Sequence, residues 1–351
     1  MTSERDIIFL TGASGFLGSH ILLQLLEKGY HVRATVREKK AAKFKLNYER
    51  FGNHLEVVPI SDIAVDQVPD RLKGVKALIH TAAPLPTRVG DAEGQLKGAV
   101  EGALNIIRQA EKAGVTRIVM TSSLSTARLR DTPTTQLTFN DKEWRVTSME
   151  EAKNTHGMEA YRAAKTLAEM AVWDFAESHP HVDITTLNPP IFYGPFAEGF
   201  EVAPLDYYAL STNLYIYRVL VAEGIYPPEP FHADIRDVAK AHVLALDSPS
   251  SSSVGRKRII FGSPHDLDFS EMVSMIGTHR PSLKDRLIAV PPPKHAGKRM
   301  IYDAERLEEV LEMKDKDFKS LKDTILDTVD SLLDLERKWI TAGYDIHIPL
   351  R

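Results

Sequence analysis

Short apolar runs alternate with longer stretches of helical spacing along most of the chain. Ile7–Thr11 is a continuous apolar run, the pattern of a strand buried on both faces. In Phe16–Lys28, the residues Phe16, Leu17, Ile21, Leu22, Leu25 and Leu26 recur at helical intervals, and Gly29 supplies a stop. Further strands are expected at His31–Val36, Leu55–Ile60, Ala77–Thr81, Arg117–Thr121, Val182–Leu187 and Arg258–Phe261. Helices are expected at Gln95–Ala113, at Met158–Ser178, near Val238–Leu246 and in an amphipathic tail from Leu321 to Trp339. The prolines at 227–230 and 291–293 mark loops, and Ser250–Ser253 reads as a polar linker or turn.

This alternation predicts an α/β fold with a doubly wound parallel sheet. Residues 1–188 and about 231–263 are expected to form a dinucleotide-type domain. About 189–230 and 264–351 would form a smaller substrate-binding lobe, so the two interleave in sequence.

Composition narrows the chemistry. The chain has 351 residues, 43% hydrophobic and 26% charged, enough to bury a sizeable core. With 44 basic and 48 acidic residues the net charge is −4, which gives no electrostatic case for a nucleic-acid partner. There is no cysteine, so disulfides, thiolate metal sites and cysteine nucleophiles are excluded. No His/Asp/Glu spacing suggests a metal site. Met1–Asp6 runs directly into Ile7–Leu10 without the long apolar core of a secretory signal, and no stretch approaches the ~20 apolar residues of a membrane helix. The expectation is a cytoplasmic protein, a monomer or homodimer, with no membrane partner.

The sharpest local signal is Thr11-Gly12-Ala13-Ser14-Gly15-Phe16-Leu17-Gly18, placed after the first strand and opening the first helix. Glycines there permit a tight turn, close approach of backbone to a pyrophosphate and close helix–sheet packing. The helix N-terminus offers free N–H groups and the positive end of its dipole. An acid closing the second strand would favour NAD, but this chain has Arg37, with Lys39, Lys40 and Lys43 following. A guanidinium suits a 2′-phosphate, which favours NADP. After the third strand, Asp62 and Ile63 could face the adenine.

Tyr161 and Lys165 stand one turn apart on a helix and share a face. A nearby ammonium favours phenolate, which would make the tyrosine a usable proton donor to an alkoxide. Thr121-Ser122-Ser123 ends the fifth strand, where open α/β sheets bind ligands. Spacing does not decide between the two serines. His80 closes the fourth strand and reads as packing, and Arg256-Lys257-Arg258 reads as a solvated run.

Taken in order, these motifs resemble the extended short-chain dehydrogenase/reductases, in particular their dihydroflavonol reductase-like and fungal aldehyde/ketone reductase branch. The resemblance also rests on Arg33–Arg37, His80-Thr81-Ala82-Ala83-Pro84, Tyr161–Glu169, Gly194-Pro195-Phe196 and Ala233–His242, and it covers nearly the whole chain. It implies a Rossmann-type fold and an NADPH-dependent reductase acting on a small ketone or aldehyde, apolar or aromatic. It makes Ser123 the catalytic serine and Tyr161 the general acid. Lys165 would bind the nicotinamide ribose and lower the tyrosine pKa. The dinucleotide would be held by Gly12, Ser14, Gly15, Phe16, Leu17 and Gly18, with Arg37 and secondarily Lys43 on the 2′-phosphate. Thr81, Ala82 and Ala83 would line its path, and Pro189 and Ile191 would pack near the nicotinamide.

The substrate would meet Leu124, Ser125, Phe192, Tyr193, Phe196, Tyr207 and Tyr208, with Phe200 and Tyr226 nearby; half of these aromatics could equally pack the second lobe. The chain departs from the family pattern at Ala99, where an asparagine is common, though Asn105 matches a later one. Leu124 would narrow the pocket, and Arg88–Gln95 has no assigned role. Rival readings are a hydroxysteroid-type dehydrogenase, a sugar-nucleotide epimerase or dehydratase, and a non-catalytic NADP-sensing regulator. Arg37 argues against the epimerase, and the retained Tyr-x-x-x-Lys against the regulator.

Overall fold

The computed structural model describes residues 6–82, 92–129, 136–145, 148–294 and 299–350. Its centre is a seven-stranded parallel sheet of β1 (Ile7–Thr11), β2 (His31–Arg37), β3 (Leu55–Ile60), β4 (Val75–His80), β5 (Arg117–Thr121), β6 (Asp183–Asn188) and β7 (Lys257–Ile260). Their spatial order is β7-β6-β5-β4-β1-β2-β3. The order reverses between β1 and β4, where Thr11 pairs with His80, so the crevice of a doubly wound sheet opens at the end of β1.

The apolar runs explain the layers. Phe9 and Leu10 point to opposite faces of β1 and both are fully buried. On one face α1 (Phe16–Glu27) joins the helices Ile235–Leu244 and Ala304–Leu311 in one apolar cluster. On the other, α2 (Ala92–Lys112) and α3 (Gly157–Ser178) pack together through Leu104, Ile107, Ala168, Val172 and Trp173. A separate cluster gathers Leu214, Tyr217, Phe269, Met272, Ile325, Val329 and Trp339 from residues 213–219, 269–279 and 321–341. Two small sheets complete the fold: Ile191–Tyr193 pairs with His232–Asp234, and Gln136–Trp144 lies between Ala127–Leu129 and Arg299–Ile301.

The structure adds local detail and corrects one expectation. The basic segment after Arg37 is a helix, Glu38–Asn47. Ser250–Ser253 forms a helical turn, Ser251–Val254 with Ser250 as its N-cap. The run Arg256-Lys257-Arg258 is solvated only at Arg256; Lys257 and Arg258 belong to β7 and are buried. Both faces of that strand are covered, so their charges must be met inside. Lys257 Nζ donates to Asp183 Oδ2, Ser248 Oγ and the Pro249 carbonyl, each at 2.9 Å. Among the described residues no helix is long and apolar enough to cross a membrane.

Candidate active site

The glycine loop is shaped by close approach. Gly12 has φ +73°, and a Cβ there would lie 2.6 Å from Thr81 Oγ1. At Gly18 a Cβ would lie 2.1 Å from the Gly12 carbonyl oxygen, so only glycine lets α1 start this near the loop. Phe16 and Leu17 turn their side chains into the core, leaving main-chain N–H groups as what they offer a ligand. Gly15 caps α1 without a side-chain bond, and no acid stands in the first turn. The cradle and its unopposed helix N-terminus fit a pyrophosphate.

One threonine ties the two strands at the crevice. Thr11 Oγ1 accepts from the N–H groups of Thr81 at 3.1 Å and Ala82 at 3.2 Å. It donates to His80 Nδ1 at 2.7 Å, since the other His80 nitrogen is bonded to the Gly102 carbonyl. Thr81 and Ala82 therefore sit directly across from Gly12. Ala83 lies outside the described residues.

Arg37 closes β2, is exposed and has no ionic partner among the described residues. Lys43 is instead paired with Glu201 at 2.8 Å. Asp62 is exposed, with Oδ1 taken by the Ala64 N–H at 2.9 Å, and the Ile63 carbonyl accepts from Asn105 at 2.9 Å.

The residues expected to handle the proton converge where β5 ends. Tyr161 hydrogen-bonds Ser123, and Lys165 Nζ reaches the Thr121 carbonyl at 3.5 Å. The serine ambiguity is resolved by direction: Ser122 Oγ is buried and donates to Glu169 at 2.6 Å, whereas Ser123 Oγ faces Tyr161 and accepts from Ser125 Oγ at 3.0 Å. Burial raises the Tyr161 phenol above its ordinary range, opposed by the Ser123 bond. The expected lowering by Lys165 is thus not what dominates. Burial pushes Lys165 itself down to about 8, opposed by Glu169. Desolvation penalises both charged forms, so Tyr161 is held as the neutral phenol and Lys165 releases its proton more readily than a free lysine.

This arrangement has known counterparts. The family described as NAD dependent epimerase/dehydratase matches residues 8–260. The chain belongs to that family, the extended short-chain dehydrogenase/reductases. Among its relatives is the NADPH-dependent methylglyoxal reductase GRE2 of Saccharomyces cerevisiae, 29% identical over 94% of this chain and 98% of the relative. Tetraketide alpha-pyrone reductase 1 of Arabidopsis thaliana is 30% identical over 95% and 97% of the two chains. The crystal structure of yeast methylglyoxal/isovaleraldehyde reductase Gre2 complexed with NADPH superposes with a TM-score of 0.79, at 26% identity, over 95% of this chain and 99% of that one.

Within this family member the aromatic residues divide by location. Phe192 stacks on Phe16 at 6.1 Å, and Phe196 and Phe200 close around the same ring at 5.7 and 6.1 Å, beside the glycine loop. Tyr193 is fully buried in the second cluster. Tyr207 stands edge-on to Trp339 at 5.6 Å and accepts from the His347 N–H, and Tyr226 stacks on Phe269. Tyr208 is 61% exposed, on the outer surface. Leu124 is buried against Phe139 and Phe231, with its N–H on the Pro189 carbonyl at 2.9 Å, so Pro189 abuts the serine turn. Ile191 follows, half-buried.

Sequence reasoning missed Glu169, Asn188, Thr126 and Arg258, which form a buried polar cluster beneath Ser123. A signal existed for two of them. Glu169 follows Lys165 by one helical turn, and Arg258 leads directly into the apolar run Ile259–Phe261.

Proposed function

We propose that this chain is an NADPH-dependent reductase that converts a ketone or aldehyde carbonyl of a small, apolar or aromatic compound to an alcohol. The observation that carries the reading is the convergence of Ser123, Tyr161 and Lys165 at the end of β5, with β4 alone between it and the strand that leads into the glycine loop. The names of the yeast and plant relatives support reduction as the reaction, and the yeast one supports NADPH. Arg37, exposed and without an ionic partner among the described residues, supports the 2′-phosphate.

When bound, the dinucleotide supplies the hydride. The chain supplies everything else. Gly12 to Gly18 would hold the pyrophosphate, and Arg37 the 2′-phosphate. Ser123 and Tyr161 would hydrogen-bond the substrate oxygen and hold it where charge develops. Tyr161 would give its proton to that oxygen. Lys165, at about 8, can stabilise the tyrosinate left behind and return a proton from solvent near neutral pH. Phe192 and Phe196, half-buried beside the glycine loop, would give the substrate apolar contact, and Ser125 donates to Ser123.

The test is loss of NADPH absorbance with a panel of aldehydes and ketones. Wild type should oxidise NADPH with at least one of them. Y161F should abolish turnover while NADPH still quenches protein fluorescence with unchanged affinity. Full turnover in Y161F would rule out Tyr161 as the acid.

A further inference from the structure

The face of α3 that carries Tyr161 and Lys165 carries Glu169 one turn further on. Its side chain is fully buried. A buried carboxylate without partners is strongly destabilising, so its bonds define what it is there for. Five donors meet it. Ser122 Oγ at 2.6 Å, Thr126 Oγ1 at 2.5 Å and Asn188 Nδ2 at 2.8 Å converge on Oε2. Thr186 Oγ1 at 2.9 Å and the Arg258 Nε at 3.0 Å reach Oε1.

These donors are distributed around one residue. Ser122 and Thr126 bracket Ser123 on its turn. Asn188 also donates to the Ser123 carbonyl at 3.3 Å, and the Thr126 N–H donates to the same carbonyl at 3.1 Å. Arg258 supplies the countercharge and is held from beyond, by the carbonyls of Asp141 at 2.8 Å and Glu143 at 2.7 Å and by the Trp144 ring at 3.9 Å. Only an ionised acid accepts on both oxygens without donating. A glutamine would turn an NH₂ group onto one set of donors.

We propose that Glu169 is a positioning residue for proton delivery: it locks the turn of residues 122–126 to α3, so that Ser123 Oγ stays on the Tyr161 hydroxyl. The proposal takes Ser123 and Tyr161 as the acting pair, as in the function proposed above. Because the same helix carries Tyr161, one carboxylate fixes both partners of that hydrogen bond relative to each other.

The test compares E169Q, S123A and S123A/E169Q with wild type. E169Q should lower kcat roughly ten- to hundredfold, as misplacements of about 1 Å do, with KM for NADPH unchanged. S123A/E169Q should be no slower than S123A, because Glu169 acts through Ser123. Crystal structures of wild type and E169Q should show Ser123 Oγ moved out of hydrogen-bond range of Tyr161. Additive losses in the double variant, or an intact Ser123–Tyr161 bond in E169Q, would overturn the proposal. If the unpaired Arg258 unfolds E169Q, E169Q/R258M removes the stranded charge and carries the same readouts. If wild type consumes no NADPH with any carbonyl, the functional reading falls, and the two crystal structures still decide the positioning.

Discussion

Arg37 and Lys43 were both candidate anion ligands from their place after the second strand and from the family resemblance, but their surroundings separate them. Arg37 is exposed at the strand end without an ionic partner among the described residues, while Lys43 is engaged by Glu201. A hydrogen bond to a charged group is worth about 1.5–3 kcal/mol, so R37A should weaken NADPH roughly ten- to hundredfold and leave NADH nearly unchanged. K43A should cost much less, because its ammonium must first leave a carboxylate. Titrating both cofactors by fluorescence checks this, and equal losses for NADPH and NADH would remove the 2′-phosphate role from Arg37. The serine pair makes the same point. Spacing does not separate Ser122 from Ser123; the family resemblance implied Ser123, and the direction of each Oγ agrees, setting an anchor on Glu169 apart from a partner of Tyr161.

Among the elements, the start of α1 was the most legible, because its glycines answer to steric limits that hold for any chain. Gly18 faces the Gly12 carbonyl so closely that a methyl group cannot be accommodated by moving a side chain. G18A should therefore destabilise by at least about 1–3 kcal/mol and abolish dinucleotide binding. Gly98 gives the contrast. It lies within the helix Ala92–Lys112 with open space around its Cβ position, and G98A should gain up to about 1 kcal/mol. Urea denaturation of the two variants should move in opposite directions. Strands with continuous apolar runs were located within one or two residues, from β1 to β6. β7 was harder to read, because Lys257 and Arg258 look like a solvated run until the strand is seen covered on both faces.

For the molecule as a whole, buried histidines set the acid limit. His20, His80, His232 and His242 are buried, and burial brings each from 6.5 down to about 4. Between those values the unfolded chain binds protons that the folded one refuses, so stability falls as pH falls through this window. Asp237 works the other way. Burial raises it from 3.8 to about 6, so in that range the folded chain holds a proton the unfolded one has lost. Four protons against one leaves acid destabilisation the winner. Urea midpoints should drop steeply from pH 6.5 toward 4, and H242Q should flatten that slope by about one proton. A flat profile across the window would mean the histidines are not held neutral.

The sequence by itself determined the parallel sheet, the glycine loop and the Tyr161–Lys165 face, because each follows from a local rule: strand burial, the volume of a Cβ, the pitch of a helix. It also carried the resemblance to the extended short-chain dehydrogenase/reductases. Tertiary structure alone decided where the Ser122 hydroxyl is spent, which aromatics flank the glycine loop, and where Glu169 and Arg258 meet across an 89-residue separation. Those outcomes depend on which side chains converge from distant segments, and burial makes convergence consequential. A charge or hydroxyl that would be solvated on the surface must find its partner inside, and the partner it finds sets its role.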